Sequence, residues 1–200
     1  MRRDSTNTRL LYEAARLFNA ESFLLLNLNF PLYDGDREKL DGIPDVVRGA
    51  AANIAEADGI LISTPEYNKG PPGVLKNALD WISRVKGKPF QGKPLAVMSA
   101  SSGRAGGERS QLVLRNFMVP FQTRILQGPE MHLADSSNQF DEDDRLTGEL
   151  YIETLQQLIT SQLFFYPLRL FERFSSNSVR FLLITYIFTT NQSIYMKYYN

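Results

Sequence analysis

The sequence predicts an α/β domain built on a mostly parallel sheet, followed by a tail of different composition. Segments of strand and helix character alternate from Thr8 to about Gln162. Two apolar runs of strand length, residues 59–64 and 94–100, are typical of parallel strands that helices cover on both faces. Polar loops follow both runs. Ligands of such sheets bind at these carboxyl ends of the strands.

Each predicted element rests on a local pattern. The first helix follows the cap-capable residues Ser5, Thr6 and Asn7, and its apolar residues recur at helical spacing. These are Leu10, Leu11, Ala14, Ala15, Leu17 and Phe18. The next predicted elements are a strand (22–28), a turn-rich loop (31–42), a helix (45–57), a strand (59–64) and a helix opened by Pro71 and Pro72. The inner face of the helix over 45–57 comprises Val46, Val47, Ala50, Ile54 and Ala57.

The second half of the domain continues the alternation. It has a predicted strand (94–100), a glycine-rich turn (103–107), a helix (110–117), strand pieces (123–126 and 131–134) and a helix from Thr147. Beyond Gln162 the composition shifts to Phe, Tyr, Leu and Ser. We therefore predict a domain over residues 1–162 and an atypical hydrophobic, aromatic tail over residues 163–200.

Composition argues against several classes of protein. Lys plus Arg and Asp plus Glu both number 22, so no net field favours nucleic acid or anionic lipid. Without cysteine there is no disulfide or thiol nucleophile, and a single histidine argues against a histidine metal cage. The apolar segments are far shorter than the roughly 20 residues of a membrane-spanning helix, and the first residues do not match a secretory signal. We expect a cytoplasmic protein without a metal, a nucleic-acid partner or a transmembrane segment.

Three polar loops fall where a ligand site is expected: residues 2–7, 64–73 and 99–107. The first leads into a helix amino end, whose free N–H groups and dipole attract an anion such as phosphate. An ordinary N-cap by Ser5 or Asn7 is the structural alternative. The second loop offers glycines for close approach and Tyr67 as an aromatic edge for a planar heterocycle, or else forms a rigid turn. Together the loops predict one site.

Residues 64–84, TPEYNKGPPGVLKNALDWISR, resemble the hallmark segment of the NADPH-dependent FMN reductase family, flavodoxin-like enzymes that include quinone, chromate and azo reductases. The segment RRDSTNTRLL resembles the second half of the family's phosphate loop. SASSGRAGGERSQ resembles its glycine-rich loop beside the flavin, and QGPEMHLADSSNQFDEDDRLT its last strand and acidic loop. The resemblance covers roughly residues 2–162.

This resemblance implies a flavodoxin-like three-layer sandwich that binds FMN and transfers electrons from NAD(P)H to quinone-, chromate- or azo-type acceptors. The cofactor carries the chemistry, so no catalytic side chain is expected. The FMN phosphate is assigned to Arg2, Ser5 and Asn7. The ring is assigned to Pro65, Glu66, Tyr67 and Asn68 and to the glycine-rich loop residues Ser101, Gly103, Gly106 and Gly107. The family also implies a homodimer or homotetramer, with residues 74–81 as a candidate interface or, equally, as core.

The sequence departs from the family at both ends. Family members begin with a central strand that ends in Gly-Ser, and this sequence has no counterpart of it before Arg2. The apolar segment 179–188 is a candidate for that vacant position, with a membrane-surface segment, an oligomer contact or disorder as alternatives. Two other functions stay open at this point. They are an inactive, truncated family member and a flavodoxin-like electron carrier that does not use NADPH.

Other prominent residues have structural interpretations. His132, inside an apolar strand piece, is predicted to be a core or edge histidine with satisfied hydrogen bonds. The acidic residues 141–144 lack the ligand spacing of a calcium loop and are predicted to form a solvated loop. Trp81 is predicted to pack in the core or at a subunit contact.

Overall fold

A parallel sheet between two layers of helices forms the centre of the molecule. The computed structural model describes residues 4–18, 22–164 and 180–184. The predicted phosphate ligand Arg2 lies outside these residues, as does most of the tail. The helices are α1 (Thr6–Phe18), α2 (Gly35–Asp41), α3 (Asp45–Glu56), α4 (Gly73–Ile82), α5 (Glu108–Met118) and α6 (Glu149–Phe164). The strands are β1 (Ser22–Leu26), β2 (Gly59–Thr64), β3 (Pro94–Ala100), β4 (Arg124–Ile125), β5 (Met131–Leu133) and β6 (Arg180–Ile184).

The strand order is β1-β6-β2-β3-β4, with β5 also paired to β3. All of these pairings are parallel. β6 comes from the predicted tail and lies between β1 and β2, where Ile184 pairs with Leu26 on one side and Ile62 on the other. The hypothesis that the segment 179–188 fills the central position is thus confirmed for Arg180–Ile184. The rest of that segment lies outside the described residues.

The two helical layers follow from the alternation of side chains along the strands. In β2, Ile60 and Ile62 face one core and Leu61 faces the other. The first core includes residues of α3, α4 and α5, and the second includes residues of α1 and α6. This arrangement confirms the predicted three-layer sandwich. Among the described residues, no helix is both long and apolar enough to cross a bilayer.

Two local predictions were wrong. The segment predicted as a loop contains the short helix α2, which buries none of its side chains. Its start is fixed by Asp34, whose carboxylate accepts hydrogen bonds from the amides of Asp36 and Arg37. In α3, Val46 was assigned to the inner face but is 44% exposed, because only Val47, Ala50, Ala51 and Ile54 turn inward.

The helix α4 holds the loop that follows β1. Trp81 Nε1 and Asn77 Nδ2 donate to the Pro31 carbonyl at 2.8 and 3.0 Å. Tyr33 stacks edge-on against Trp81, and its hydroxyl donates to Glu38, which raises the pKa of Tyr33. Trp81 therefore packs within the chain, as predicted. The apolar residues of the candidate interface 74–81, namely Leu75, Ala78, Leu79 and Trp81, belong to the molecule's own core.

Candidate functional site

A cleft of about 160 Å³ opens at the carboxyl edge of the sheet. Three of the loops that line it are those singled out in the sequence, and the fourth follows β5. The lining consists of Ser5, Thr6, Asn7, Pro65, Glu66, Tyr67, Ala100, Ser101, Ser102, Ser136 and Ser137. Six of the predicted site residues are thereby brought together. Asn68, Gly103, Gly106 and Gly107 lie in the same loops but do not line the cleft.

The amino end of α1 forms one side of the cleft. The Ser5 carbonyl accepts from the amides of Thr8 and Arg9 at 2.9 and 3.1 Å, and Ser5 Oγ accepts from Thr8 N at 3.4 Å. The N–H groups of Thr6 and Asn7, at the helix start, have no partner within the helix. Thr6 Oγ1 lies 3.0 Å from Ser136 Oγ. Hydroxyl and amide donors thus converge where the helix dipole favours an anion.

Asn7 is engaged mainly inside the protein. Its side chain is only 4% exposed. Its Oδ1 accepts from Ala100 N at 2.9 Å and from Ser63 Oγ at 2.8 Å, while Nδ2 donates to the Ala100 carbonyl at 2.9 Å. Among the described residues, one N–H of the side-chain amide and the backbone N–H have no further partner. Asn7 therefore fixes α1 against the ends of β2 and β3.

The loop after β2 is fixed to the start of α5. Glu66 Oε2 accepts from the amides of Arg109 and Ser110 at 3.1 and 3.4 Å, so this carboxylate caps the helix. Arg109 Nη1 lies 3.8 Å from Glu66 Oε1. The Pro65 carbonyl accepts from Ser110 Oγ at 2.8 Å. The loop is thereby held in place from the α5 side.

A tight turn carries Tyr67 to the mouth of the cleft. The amides and carbonyls of Tyr67 and Gly70 exchange hydrogen bonds of 2.9 and 3.1 Å. Between them, Asn68 and Lys69 have φ values of +52° and +67°, the sign that a type I′ turn requires at both central positions. Left-handed lysine is uncommon, and such conformations cluster at functional sites. The turn leaves Tyr67 56% exposed beside the cleft.

The glycine-rich loop folds back onto the strand ends. Gly106 and Gly107 have φ values of +59° and +92°. A Cβ on Gly106 would lie 2.6 Å from backbone atoms of His132, and one on Gly107 would lie 2.8 Å from Ser99 Cβ. These glycines are therefore needed for close packing inside the protein. The loop reaches the cleft through its first residues, Ser101 and Ser102.

The prediction for His132 was wrong in one respect. Its Nε2 is buried and has no hydrogen-bond partner among the described residues. The residue is half-buried on β5, with the glycine-rich loop packed against its backbone. The prediction that His132 is a core or edge residue stands, but one ring nitrogen lacks the expected hydrogen bond among the described residues.

Sequence reasoning missed several residues of the site. Ser136 and Ser137 line the cleft from the loop after β5, and Thr6 and Ser102 lie beside predicted residues. The signal was present in part, because the polar run after residues 131–134 follows a strand that ends at the same edge. The buried Ser110 and Gln111 end the segment that resembles the family's glycine-rich loop, but nothing in the sequence gave them a role, since their partners are distant in sequence.

The donor set fits a phosphorylated planar cofactor. The α1 side offers hydroxyls and N–H groups, and Glu66, the only carboxylate among the described residues of the lining, is turned onto α5. Pro65 and Tyr67 supply apolar and aromatic surface on the opposite side. A parallel sheet in this order, with such a cleft at its carboxyl edge, defines a flavodoxin-like protein that binds a mononucleotide cofactor.

Comparison with known proteins identifies the family. The sequence model of the NADPH-dependent FMN reductases matches residues 1–137. The chain is 40% identical over 159 residues to an NAD(P)H-dependent FMN reductase of Pseudomonas aeruginosa, and this match covers 78% of the chain and 85% of the relative. It is 38% identical over 135 residues to a quinone reductase of Escherichia coli, spanning 68% and 70%. The chain belongs to the NADPH-dependent FMN reductase family.

A solved structure agrees with this result. The flavoenzyme NAD(P)H:(acceptor) oxidoreductase FerB from Paracoccus denitrificans is similar with a TM-score of 0.75 at 30% identity, covering 82% of this chain and 91% of that one. The flavodoxin-like fold is therefore confirmed. So is the prediction of an oxidoreductase that depends on FMN and a reduced nicotinamide cofactor.

Proposed function

We propose that the protein transfers electrons from NAD(P)H through FMN to a quinone-type acceptor. The cleft carries this proposal, because it joins a helix amino end, which favours anions, to apolar and aromatic surface at Pro65 and Tyr67 within one continuous site. The names of the relatives support the acceptor, since a quinone reductase and a 2-hydroxy-1,4-benzoquinone reductase are both 38% identical to this chain. Chromate and azo compounds are secondary candidates from the family resemblance.

The two ends of the cleft receive different roles in this proposal. The phosphate binds at the α1 end through Ser5 and the backbone N–H of Asn7, with Arg2 as a further ligand. The ring lies along Pro65, Glu66 and Tyr67 on one side, and Asn68 shapes their loop from the adjoining turn. The glycine-rich loop, with Ser101, Gly103, Gly106 and Gly107, forms the other side. Gly106 and Gly107 contribute by shaping this loop rather than by lining the cleft.

When bound, FMN accepts a hydride from the nicotinamide and passes electrons to the acceptor. The chain itself orients the two substrates and excludes water. The carboxylate of Glu66 accepts hydrogen bonds from two amides of α5, so it is not placed as a proton donor, and the proton that accompanies the hydride comes from solvent. Tyr67 at the mouth offers the aromatic face against which the nicotinamide or the quinone packs.

Rapid mixing tests this function. The FMN-loaded protein is mixed anaerobically with NADPH or NADH, and benzoquinone is added once the flavin absorbance has fallen. We expect rapid bleaching of the flavin band and its return with the quinone, over repeated cycles. An electron carrier would keep its flavin band on mixing with either nicotinamide. An inactive family member would stay colourless after incubation with FMN. Either result would overturn the proposal.

The assembly state and location are further parts of the proposal. We propose a cytoplasmic homodimer or homotetramer. The exposed Leu32, 83% accessible on the loop that α4 holds, supports an interface beside this helix, since the apolar stripe of the helix itself is used in the core. Sedimentation equilibrium of the full chain distinguishes the states. A mass of one chain at all concentrations would contradict an oligomer.

A further inference from the structure

The first turn of α5 joins the two loops that frame the ring side of the cleft. Ser110 and Gln111 are neighbours in this turn, and both side chains are buried. Ser110 reaches the end of β2, where its Oγ donates to the Pro65 carbonyl and lies 3.2 Å from Thr64 Oγ1. Gln111 reaches the ends of β3 and β5 instead. One helical turn therefore contacts both loops.

The side chain of Gln111 acts as a donor in both of its hydrogen bonds. Its Nε2 lies 2.7 Å from the Met131 carbonyl, which can only accept, so this position must hold the amide nitrogen. The same Nε2 lies 2.8 Å from Ser99 Oγ, whose own proton goes to the Gly106 carbonyl at 2.6 Å. Gln111 thus donates to Ser99, and Ser99 donates to Gly106. In such a chain each bond polarises the next.

The end point of this chain is Gly106, whose backbone packs closely against β5. The backbone of Gly106 packs so closely against His132 that a Cβ would not fit. The Gly106 amide also donates to the Gly103 carbonyl at 3.2 Å. Fixing Gly106 therefore fixes the loop whose first residue, Ser101, lines the cleft.

An amide at position 111 is not explained by packing alone. Gln111 is 2% exposed, and its Oε1 has no partner among the described residues. A buried acceptor without a partner carries a desolvation cost. A leucine of similar size would avoid that cost, so the reason for glutamine lies in the two hydrogen bonds that its nitrogen donates.

We propose that Gln111 is a positioning residue for the flavin ring. It acts through Ser99 and the Gly106 carbonyl and holds the glycine-rich loop in the conformation that receives the ring. The phosphate end does not depend on it, because α1 is fixed separately by Asn7. This inference rests on the proposed FMN site.

The test compares FMN with riboflavin, which has the ring but no phosphate. Both dissociation constants are measured by flavin fluorescence titration of the full chain and of Gln111→Leu. We expect both constants to rise by the same factor, about threefold to tenfold, so that their ratio is unchanged. The visible absorption band of the bound flavin should also shift. A purely structural role would move neither the affinities nor the band.

Ser99→Ala is the second variant, since it removes one hydroxyl and keeps the expectation testable if Gln111→Leu fails to fold. Because Ser99 and Gln111 act in series, the double variant should bind flavin about as weakly as the weaker single variant. Gln91→Leu is the matched control. This exposed amide contacts Gln122 Oε1 at 2.7 Å, outside the cleft lining, and its loss should leave both constants unchanged.

Three outcomes would overturn the inference. One is wild-type affinity and spectrum in Gln111→Leu with only a lower thermal midpoint. Another is full additivity of the two substitutions. The third is a wild-type chain that binds neither flavin, which would overturn the proposed FMN site as well. In the first two cases the proposed function stands, so the two failures are distinguishable.

Discussion

The two sides of the cleft are held by different kinds of contact. On the α5 side, the buried side chains of Ser99, Ser110 and Gln111 fix both loops through hydrogen bonds of defined direction. On the α1 side, Thr6 is half-buried and Ser137 is exposed, and the hydroxyl of Thr6 bonds only to Ser136 Oγ within the cleft lining itself, as far as the described residues show. A site built in this way is preorganised for the ring, whereas its anion end keeps donors free for the ligand.

The two sides also differ in where they come from in the sequence. The α5 side is formed by consecutive elements from β2 to β5. The α1 side is formed by α1, which packs on β2 next to β6, so it depends on opposite ends of the described chain. Asn7 connects the two sides, because it bonds to both backbone groups of Ala100. The anion end should therefore be the more sensitive one to loss of the central strand.

The largest expected effect concerns this strand. Ile184 in β6 and its partner Ile62 in β2 are 2% and 0% exposed and lie in the same core. If β6 is an integral strand, Ile184→Ala and Ile62→Ala should each lower the free energy of unfolding by about 2–5 kcal/mol. Urea denaturation of the two variants and the wild type measures both values.

Ile62→Ala is the control for Ile184→Ala, since both substitutions remove the same atoms from the same core. A loss for Ile184→Ala below about 0.5 kcal/mol, with a full loss for Ile62→Ala, would show that β6 contributes little to the sheet. Equal losses would support a central strand supplied by the tail. Both sides of the cleft would then be supported by one continuous sheet.

Whether an element could be predicted from the sequence depends on how much of it is buried. β2 and β3 match the predicted runs 59–64 and 94–100 because a strand covered on both faces is apolar along its whole length. The same property predicted the central position of β6 in the sheet. It did not predict the register of β6, since a uniformly apolar strand has no alternation of side chains to fix its pairing. The helix α2 was missed because it buries nothing and leaves only the cap at Asp34 as a signal.

The predictable part of the candidate site consists of loops whose place in the fold follows from their order along the chain. Loops after parallel strands must meet at one edge, which explains why the predicted residues Pro65, Tyr67 and Ser101 lie in the cleft lining. Ser5 was assigned instead from the helix amino end and the family resemblance, and it lines the same cleft. What a side chain touches across elements is set by packing in three dimensions. The internal bonds of Asn7 depend on that packing and could not be read from the sequence.

The second prediction addresses the link between the two sides. Asn7→Ala removes three buried hydrogen bonds and leaves the Ala100 backbone and Ser63 Oγ without these partners. We expect the free energy of unfolding to fall by about 1–3 kcal/mol. FMN and riboflavin affinity should both decrease, because the α1 and β3 ends shift together. Asn116→Ala, at an exposed position of α5, is the control and should stay within about 0.5 kcal/mol of the wild type.

Retention of wild-type stability in Asn7→Ala, with a loss of FMN affinity alone, would contradict this role. Asn7 would then act as a phosphate ligand, as the family resemblance implied. In that case the α1 side of the cleft would offer the phosphate one more donor than the present internal bonds of Asn7 leave.

The smallest expected effect isolates the anion end. Thr6→Val keeps the shape of the side chain but removes the hydroxyl that lies 3.0 Å from Ser136 Oγ in the cleft. If the α1 side receives the phosphate, the dissociation constant of FMN should rise about threefold to tenfold while that of riboflavin stays the same. Thr154→Val is the matched control, since its hydroxyl donates to the Leu150 carbonyl on α6 and lies outside the cleft lining. Equal weakening of both flavins by Thr6→Val would place its effect on the ring, and the two sides of the cleft would no longer be separable.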